Sequence, residues 1–422
     1  MSVHTVQHGD TLWAISNKHQ VPMPDLLRVN GLRDADELIP GLALYLPRNH
    51  ITDRYYSIVA GDTLWRLAIQ FQTDISTILQ ANPGMNPYNL QVGQKIVIPS
   101  PLKNRIKTLG FIVPTTSPQF LRDFSMIAQQ LTYVAIVAYS FTEEGNVFAE
   151  LDDTAILVRS KQINVIPLLM IRNFTKGDFD RELVGNVLKN PVARTRLVQA
   201  IVSKIRQKGY GGVSIDFEFI PPPRRKDFNI FLRELKNVLG SLTLHVNVHS
   251  KTEDIPTNPI IGAYDYKEIG KIADIVAVMT IDYGYPTGPP NPISPLWWVE
   301  EVIRYSISEI DPQKLQIAMP LYGYDWTLPT NLTRGFSVLF AQNFAITSKF
   351  VIQYDIKAAS PYYEYWVGKD KHIVWFEDIR SYIEKYKVID LYNLLGATYW
   401  QISLPFPQNW EYLKQNMIIQ KT

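Results

Sequence analysis

From residue 104 to the end of the chain, short and nearly continuous apolar runs alternate with stretches in which apolar positions recur every three to four residues. Runs of that length, rich in β-branched side chains, predict strands buried on both faces, and the intervening period predicts helices. Eight runs begin near Ile106, Tyr133, Ile163, Gly211, Thr243, Ile275, Leu315 and Gly396. After the fourth, Phe228, Phe231, Leu232, Leu235 and Leu239 fall on one helix face, with Arg233, Lys236 and Asn237 facing out. Strand and helix alternating eight times predict an α/β fold, a (β/α)8 TIM barrel over residues 104–422. The 81 residues between the seventh and eighth strand starts exceed one crossover helix, so residues 327–375 are expected to form a small α+β insertion after strand seven.

The first hundred residues follow a different rule. Gly9-Asp10-Thr11-Leu12-Trp13 recurs as Gly61-Asp62-Thr63-Leu64-Trp65, and the 52-residue offset also carries Asn30 to Asn82, Gly41 to Gly93 and Pro47 to Pro99. Each copy reads as βααβ: a short strand, a turn in which Asp10 or Thr11 caps a helix, a second helix around Asp25–Val29, and a closing strand stopped by proline. Trp13 and Trp65 are expected to be buried in the two small cores. The copies, at 1–48 and 52–100, resemble the LysM module. That resemblance implies a shallow groove for N-acetylglucosamine-containing glycans, lined by Gly9, Asp10, Thr11, Leu12 and residues 38–41 in the first copy. In the second copy Gly61, Asp62, Thr63, Leu64 and residues 90–93 would line it. Backbone groups of the loops are the expected contacts, and two weak modules would act through avidity.

Composition narrows the classes. A formal charge of +2 with signs interspersed argues against a nucleic-acid binder, and 46% apolar residues can fill real cores. Cysteine is absent, which removes disulfides, thiolate metal sites and cysteine nucleophiles; the seven histidines show no metal-ligand spacing. No cofactor and no metal is expected, and protein partners are unknown. No apolar run approaches the roughly 20 residues of a membrane span, and the N-terminus lacks the features of a signal peptide. Aromatic side chains are abundant, with 9 Trp, 23 Tyr and 18 Phe, and such rings suit sugar faces as well as cores.

The chemistry gathers on strand four, Gly212-Val213-Ser214-Ile215-Asp216-Phe217-Glu218-Phe219. Alternation puts Ser214, Asp216 and Glu218 on the barrel side and Val213, Ile215, Phe217 and Phe219 toward the helices. Two carboxylates at the carboxyl end of a barrel strand, with no cation nearby in sequence, should raise each other's pKa, an arrangement typical of catalysis. Ser214 is placed to hydrogen-bond Asp216. The sequon-like Asn173-Phe174-Thr175 carries no such signal.

These residues resemble the fourth-strand motif D-G-x-D-x-D-x-E of chitinase-like family-18 glycoside hydrolases, with Gly211 and Ser214 at the two earlier Asp positions. By that resemblance Glu218 is the general acid, Asp216 its neighbouring carboxylate, and Asp282 of Met279-Thr280-Ile281-Asp282 the strand-six aspartate. Ile281 stands where that family has a tyrosine for the sugar acetamido group, and Tyr283 is a candidate substitute. Tyr322 matches the strand-seven Y-G segment, and Trp400 the aromatic floor beneath the sugar. The implied mechanism is substrate-assisted and retaining. Two LysM-like modules fused to such a barrel look like the spore germination and cortex-lytic glycosylases of endospore formers. This implies cleavage of N-acetylglucosaminyl bonds in cortex peptidoglycan during germination, by a protein made in the mother cell and laid down on the spore. A catalytically inactive glycan-binding coat protein is the alternative that Ser214 and Ile281 favour. A chitinase is the other enzymatic reading.

Overall fold

The computed structural model describes residues 2–47, 52–115 and 117–421, so the expected ends at residues 1, 48 and 422 lie outside the described residues. Eight parallel strands, Asn104–Ile112, Tyr133–Phe141, Ile166–Arg172, Gly212–Asp216, Thr243–His249, Ile275–Met279, Leu315–Pro320 and Gly396–Trp400, pair each with the next. The eighth closes on the first, Ala397 opposite Thr108. Only the third begins appreciably later than its apolar run, because Ile163 is the residue that closes the preceding helix, Thr154–Gln162.

The barrel has two apolar layers. Tyr133, Ala135 and Val137 point inward with Leu109, Phe111, Leu168 and Met170. Val134, Ile136 and Ala138 of the same strand face the surrounding helices. Both faces are therefore buried, which is why these strands show no polar alternation. Helix Arg225–Leu239 buries the predicted stripe, with Phe231 stacked 5.3 Å from Phe217 of the fourth strand–helix turn. Arg233 and Asn237 face out, while Lys236 pairs with Asp274 at 2.6 Å.

The insertion is a five-stranded antiparallel sheet, in the order Leu332–Ser337, Tyr322–Leu328, Asp370–Trp375, Ser360–Val367, Gln353–Asp355, with helix Val338–Ser348. It starts before residue 327: Tyr322 already pairs with Ser337, so Tyr322 and Tyr324 lie on the insertion's first strand and not on barrel strand seven. Pro320 and Gly323 flank the crossing at Leu321, but the apolar pattern continues through them, and periodicity cannot register a change of strand partner.

Both N-terminal copies fold as βααβ. The first consists of Val3–Thr5, Leu12–His19, Met23–Asn30 and Ala43–Tyr45; the second of Thr52–Ser57, Leu64–Gln70, Ile75–Ala81 and Lys95–Ser100. The threonine is the helix cap in each, Thr11 accepting from Ala14 N at 3.1 Å and Thr63 from Arg66 N at 3.2 Å. Asp10 and Asp62 instead tie their own turns, accepting from Gln7 N and Val59 N. Trp13 and Trp65 are not core residues: they are 67% and 64% exposed. Leu12 and Ile15, and likewise Leu64 and Leu67, already supply the inward face of the first helical turn, and the intervening tryptophan is rotated about 100° away.

Candidate active site

Strand four ends at Asp216, and Glu218 follows on the strand–helix turn, after which Phe219 takes a left-handed φ of 53°. Phe217 and Ile220 join the helix layer, but Phe219 does not. It turns toward His249, 5.3 Å away between ring centres. Asn173, at the end of strand three, holds the Glu218 backbone from both sides: its Oδ1 accepts from Glu218 N at 2.8 Å and its Nδ2 donates to Glu218 O at 3.0 Å. The catalytic candidate is thus fixed through its main chain, leaving the side chain free to move a proton.

Asp216 is buried, and Asn247 of strand five donates to its Oδ1 at 3.1 Å. Burial, and then the Glu218 charge, hold this carboxyl well above the usual carboxylate range; Arg172 and Asn247 pull the other way without offsetting them. The expected Ser214–Asp216 bond does not form. Ser214 Oγ pairs with His245 Nδ1 at 2.9 Å, because parallel register places His245 directly beside Ser214, whereas Asp216 lies one pleat further along. His245 is fully buried, and that burial pushes it down to about 3, so it is neutral at physiological pH.

Asp282 has a left-handed φ of 56°, and its Oδ1 accepts from Tyr322 OH at 2.7 Å and Tyr324 OH at 3.0 Å. The residue is open to solvent on one side, yet its carboxyl sits among protein atoms. That desolvation raises it above its ordinary value against the two hydroxyls, and the Glu218 charge adds to the rise. Tyr283 does not join this group: its ring lies 5.2 Å from Trp297 and 5.3 Å from Trp298. Trp400 is half-buried, 5.4 Å from Phe111, and packs in one aromatic cluster with Tyr322, Tyr324 and Trp375. Glu218, Asp216, Asp282, Tyr322 and Trp400 therefore converge at the barrel's carboxyl end, while Ser214 sits deeper and Tyr283 to the side.

The sequence profile of glycosyl hydrolases family 18 matches residues 177–404, more than half of the chain, and that of the LysM domain matches residues 4–47 and 56–99. The chain belongs to glycosyl hydrolase family 18. Over its whole length this hydrolase is similar to the cortical fragment-lytic enzyme of Bacillus anthracis, 31% identical over 430 residues that cover 100% of this chain and 99% of that one. The crystal structure of the Bacillus cereus spore cortex-lytic enzyme SleL matches it with a TM-score of 0.86 at 30% identity, over 99% of this chain and 98% of that one. A chitinase from Chromobacterium violaceum, 21% identical with a TM-score of 0.68 over 74% of this chain and 98% of that one, shares the fold.

Three residues of the hydrolase's mouth carry no sequence signal, Asn173, Asn247 and His249, and Tyr324 is marked only as part of the Y-G segment. His249 Nε2 stands 3.3 Å from Glu218 Oε2. Its ring is held against Phe219 and, at 5.4 Å, Tyr264. These residues come from strands or turns distant in sequence from strand four, so neither spacing nor period links them to it. Among the described residues no three His, Asp or Glu side chains are grouped to hold a metal ion, and no helix is long and apolar enough to cross a membrane.

Proposed function

We propose that this hydrolase cleaves N-acetylglucosaminyl bonds of spore cortex peptidoglycan with retention of configuration, during germination. The observation that carries the reading is the pairing of Asp216 and Glu218 at the barrel mouth in a chain similar from end to end to cortical fragment-lytic enzymes. Glu218 gives its proton to the leaving glycosidic oxygen as the bond to the anomeric carbon breaks. The substrate's own acetamido oxygen attacks that carbon, forming a cationic oxazolinium-like intermediate. Water then adds from the face the leaving group vacated, and Glu218 takes the proton back. Asp216 and Asp282 orient the acetamido group and stabilise its positive charge; the cation offsets the burial, and then the Glu218 charge, that disfavour an ionised Asp216. His249 steadies Glu218 in its anionic stage, and Tyr324 with Tyr322 supplies hydroxyls near the place where Ile281 offers none. Trp400 is the platform for the sugar ring. The protein is addressed to its polymer by LysM modules and acts at the spore, reaching it from the mother cell.

The test is mass spectrometry of fragments released from purified cortex, vegetative peptidoglycan and chitin oligomers by the wild type and by Glu218→Gln. Cortex fragments with N-acetylglucosamine at the new reducing end, released by the wild type alone, support the reading. Release from chitin only makes the protein a chitinase, and binding without release from any polymer makes it a lectin.

A further inference from the structure

The two LysM modules share a fold and differ in what covers them. In the first, the loop before the closing strand is sealed by the insertion and by helix Ile379–Leu391 after it: Ile352 N donates to Pro40 O at 3.1 Å, and Arg380 donates to Gly41 O at 3.1 Å. Gly41, at φ 86°, lies so close that a Cβ there would stand 1.7 Å from the Ile352 carbonyl oxygen. Ile39 is buried with Ile352, and the first module's Leu12, Ile15, Leu26 and Leu44 form one apolar cluster with Ala341, Ala345, Tyr363 and Phe376 of the insertion. Even its buried Asn30 is gripped from outside, by Gln342 on its carbonyl and Gln408 on its side-chain oxygen.

In the second module the same loop is free. A Cβ at Gly93, the counterpart of Gly41, would meet nothing within 4 Å, and Gln91, Val92 and Gly93 are exposed; the first loop is open in both copies, at Gly9 as at Gly61. Its core closes on its own residues, Ile58, Leu64, Leu67, Phe71, Ile78, Ile96 and Ile98. It meets the barrel through both of its strands, Arg54 of the first on Asp390 at 2.7 Å and Lys95 of the closing one on Glu300 at 2.8 Å. The outer surfaces differ as well: the second copy exposes Val59, Ile69, Tyr88 and Val92 beside Trp65. At the corresponding places the first copy has Gln7, Asn17, Asp36 and Pro40.

We propose that the modules have divided their labour. The second module alone reads the glycan, laying N-acetylhexosamine rings against Trp65 and Val92 with the exposed backbone of its two loops supplying polar contacts. The first has become part of the catalytic domain's core and fixes the reader to the barrel. This rests on the proposed action on an N-acetylglucosamine polymer. It replaces the avidity of two equal modules by that of one module and the catalytic cleft.

The experiment uses full-length protein carrying Glu218→Gln, co-sedimented with insoluble chitin and with purified cortex. Adding Trp65→Ala with Val92→Ser should lower the affinity at least tenfold, whereas Trp13→Ala with Pro40→Ser should change it less than twofold; all four positions are at the surface or in loops, and circular dichroism checks folding. Equal losses from the two pairs, or no loss from the second-module pair, would overturn the proposal, as would failure of the parent to bind either polymer. Hydrolysis by the wild type is scored separately. If it cuts neither polymer while the second-module pair still abolishes binding, the functional reading falls and the division of labour stands.

Discussion

Asp153 and Asp216 are both buried aspartates of one barrel, and their surroundings push them in opposite directions. Asp153 is 1% exposed. It accepts from Tyr139 OH at 2.5 Å, from Tyr210 OH, and from the ammonium of Lys208. Burial alone would raise it, but Lys208 and the two hydroxyls more than offset this and hold it below its ordinary value. Asp216, 5% exposed, has one amide donor, and a second carboxylate beside it. The first aspartate has its charge fully met and serves the fold. The second keeps an electrostatic conflict that folding alone gives no reason to retain, and in the proposed reaction a positive charge develops beside it.

Removing the proposed proton carrier is the largest perturbation. Glu218→Gln should lower fragment release about 10³-fold with an unchanged melting temperature, measured on cortex by mass spectrometry. Breaking the satisfied site comes next: Asp153→Ala leaves Lys208 and two hydroxyls facing a void and should cost about 3 kcal/mol of stability, read by denaturant unfolding, with activity per folded molecule retained. The reverse is expected at Asp216. Its folded pKa is raised, so its contribution is most favourable below the unfolded value near 3.8 and is lost as pH rises through the folded pKa. Asp216→Asn should therefore gain roughly 1 kcal/mol at neutral pH, with the gain shrinking as pH falls toward 4, while activity drops about 10²-fold. If Asp216→Asn instead destabilised the protein as Asp153→Ala does, the contrast between the two sites would collapse. The smallest effect belongs to His249→Gln, which should lower kcat about fivefold, by analogy with lesser acid–base contributions, and shift the pH–rate profile while leaving KM nearly unchanged.

Much of the architecture is visible in the chain itself. Eight apolar runs mark eight barrel strands because a strand buried on both faces must be apolar at nearly every position. The 52-residue repeat marks two modules, and the D-F-E tripeptide marks the carboxylate pair. The failures are equally specific. Trp13 reads as core by residue type, but helical phase leaves it outside. Ser214 reads as Asp216's partner because it is two residues away, yet parallel register gives it His245 instead. Tyr283 sits beside Asp282 in sequence, and the left-handed backbone at Asp282 leads its ring to Trp297 and Trp298 while Tyr324, 42 residues on, provides the hydroxyl.

The sequence by itself determined what depends on neighbours along the chain: strand and helix period, the repeat, the turn that caps each module's first helix and which strand carries the carboxylates. Only the tertiary structure decided the partners of those carboxylates. Asn247 reaches Asp216 across 31 residues and Asn173 holds Glu218 across 45. It also decided which LysM module keeps its closing loop uncovered, since Gly41 and Gly93 are the same residue in the same turn. Ile352 lies against one of them, and a Cβ at the other would meet open space. Period and capping are local energies repeated at every residue, whereas a partner is chosen when the barrel closes and brings distant segments into register.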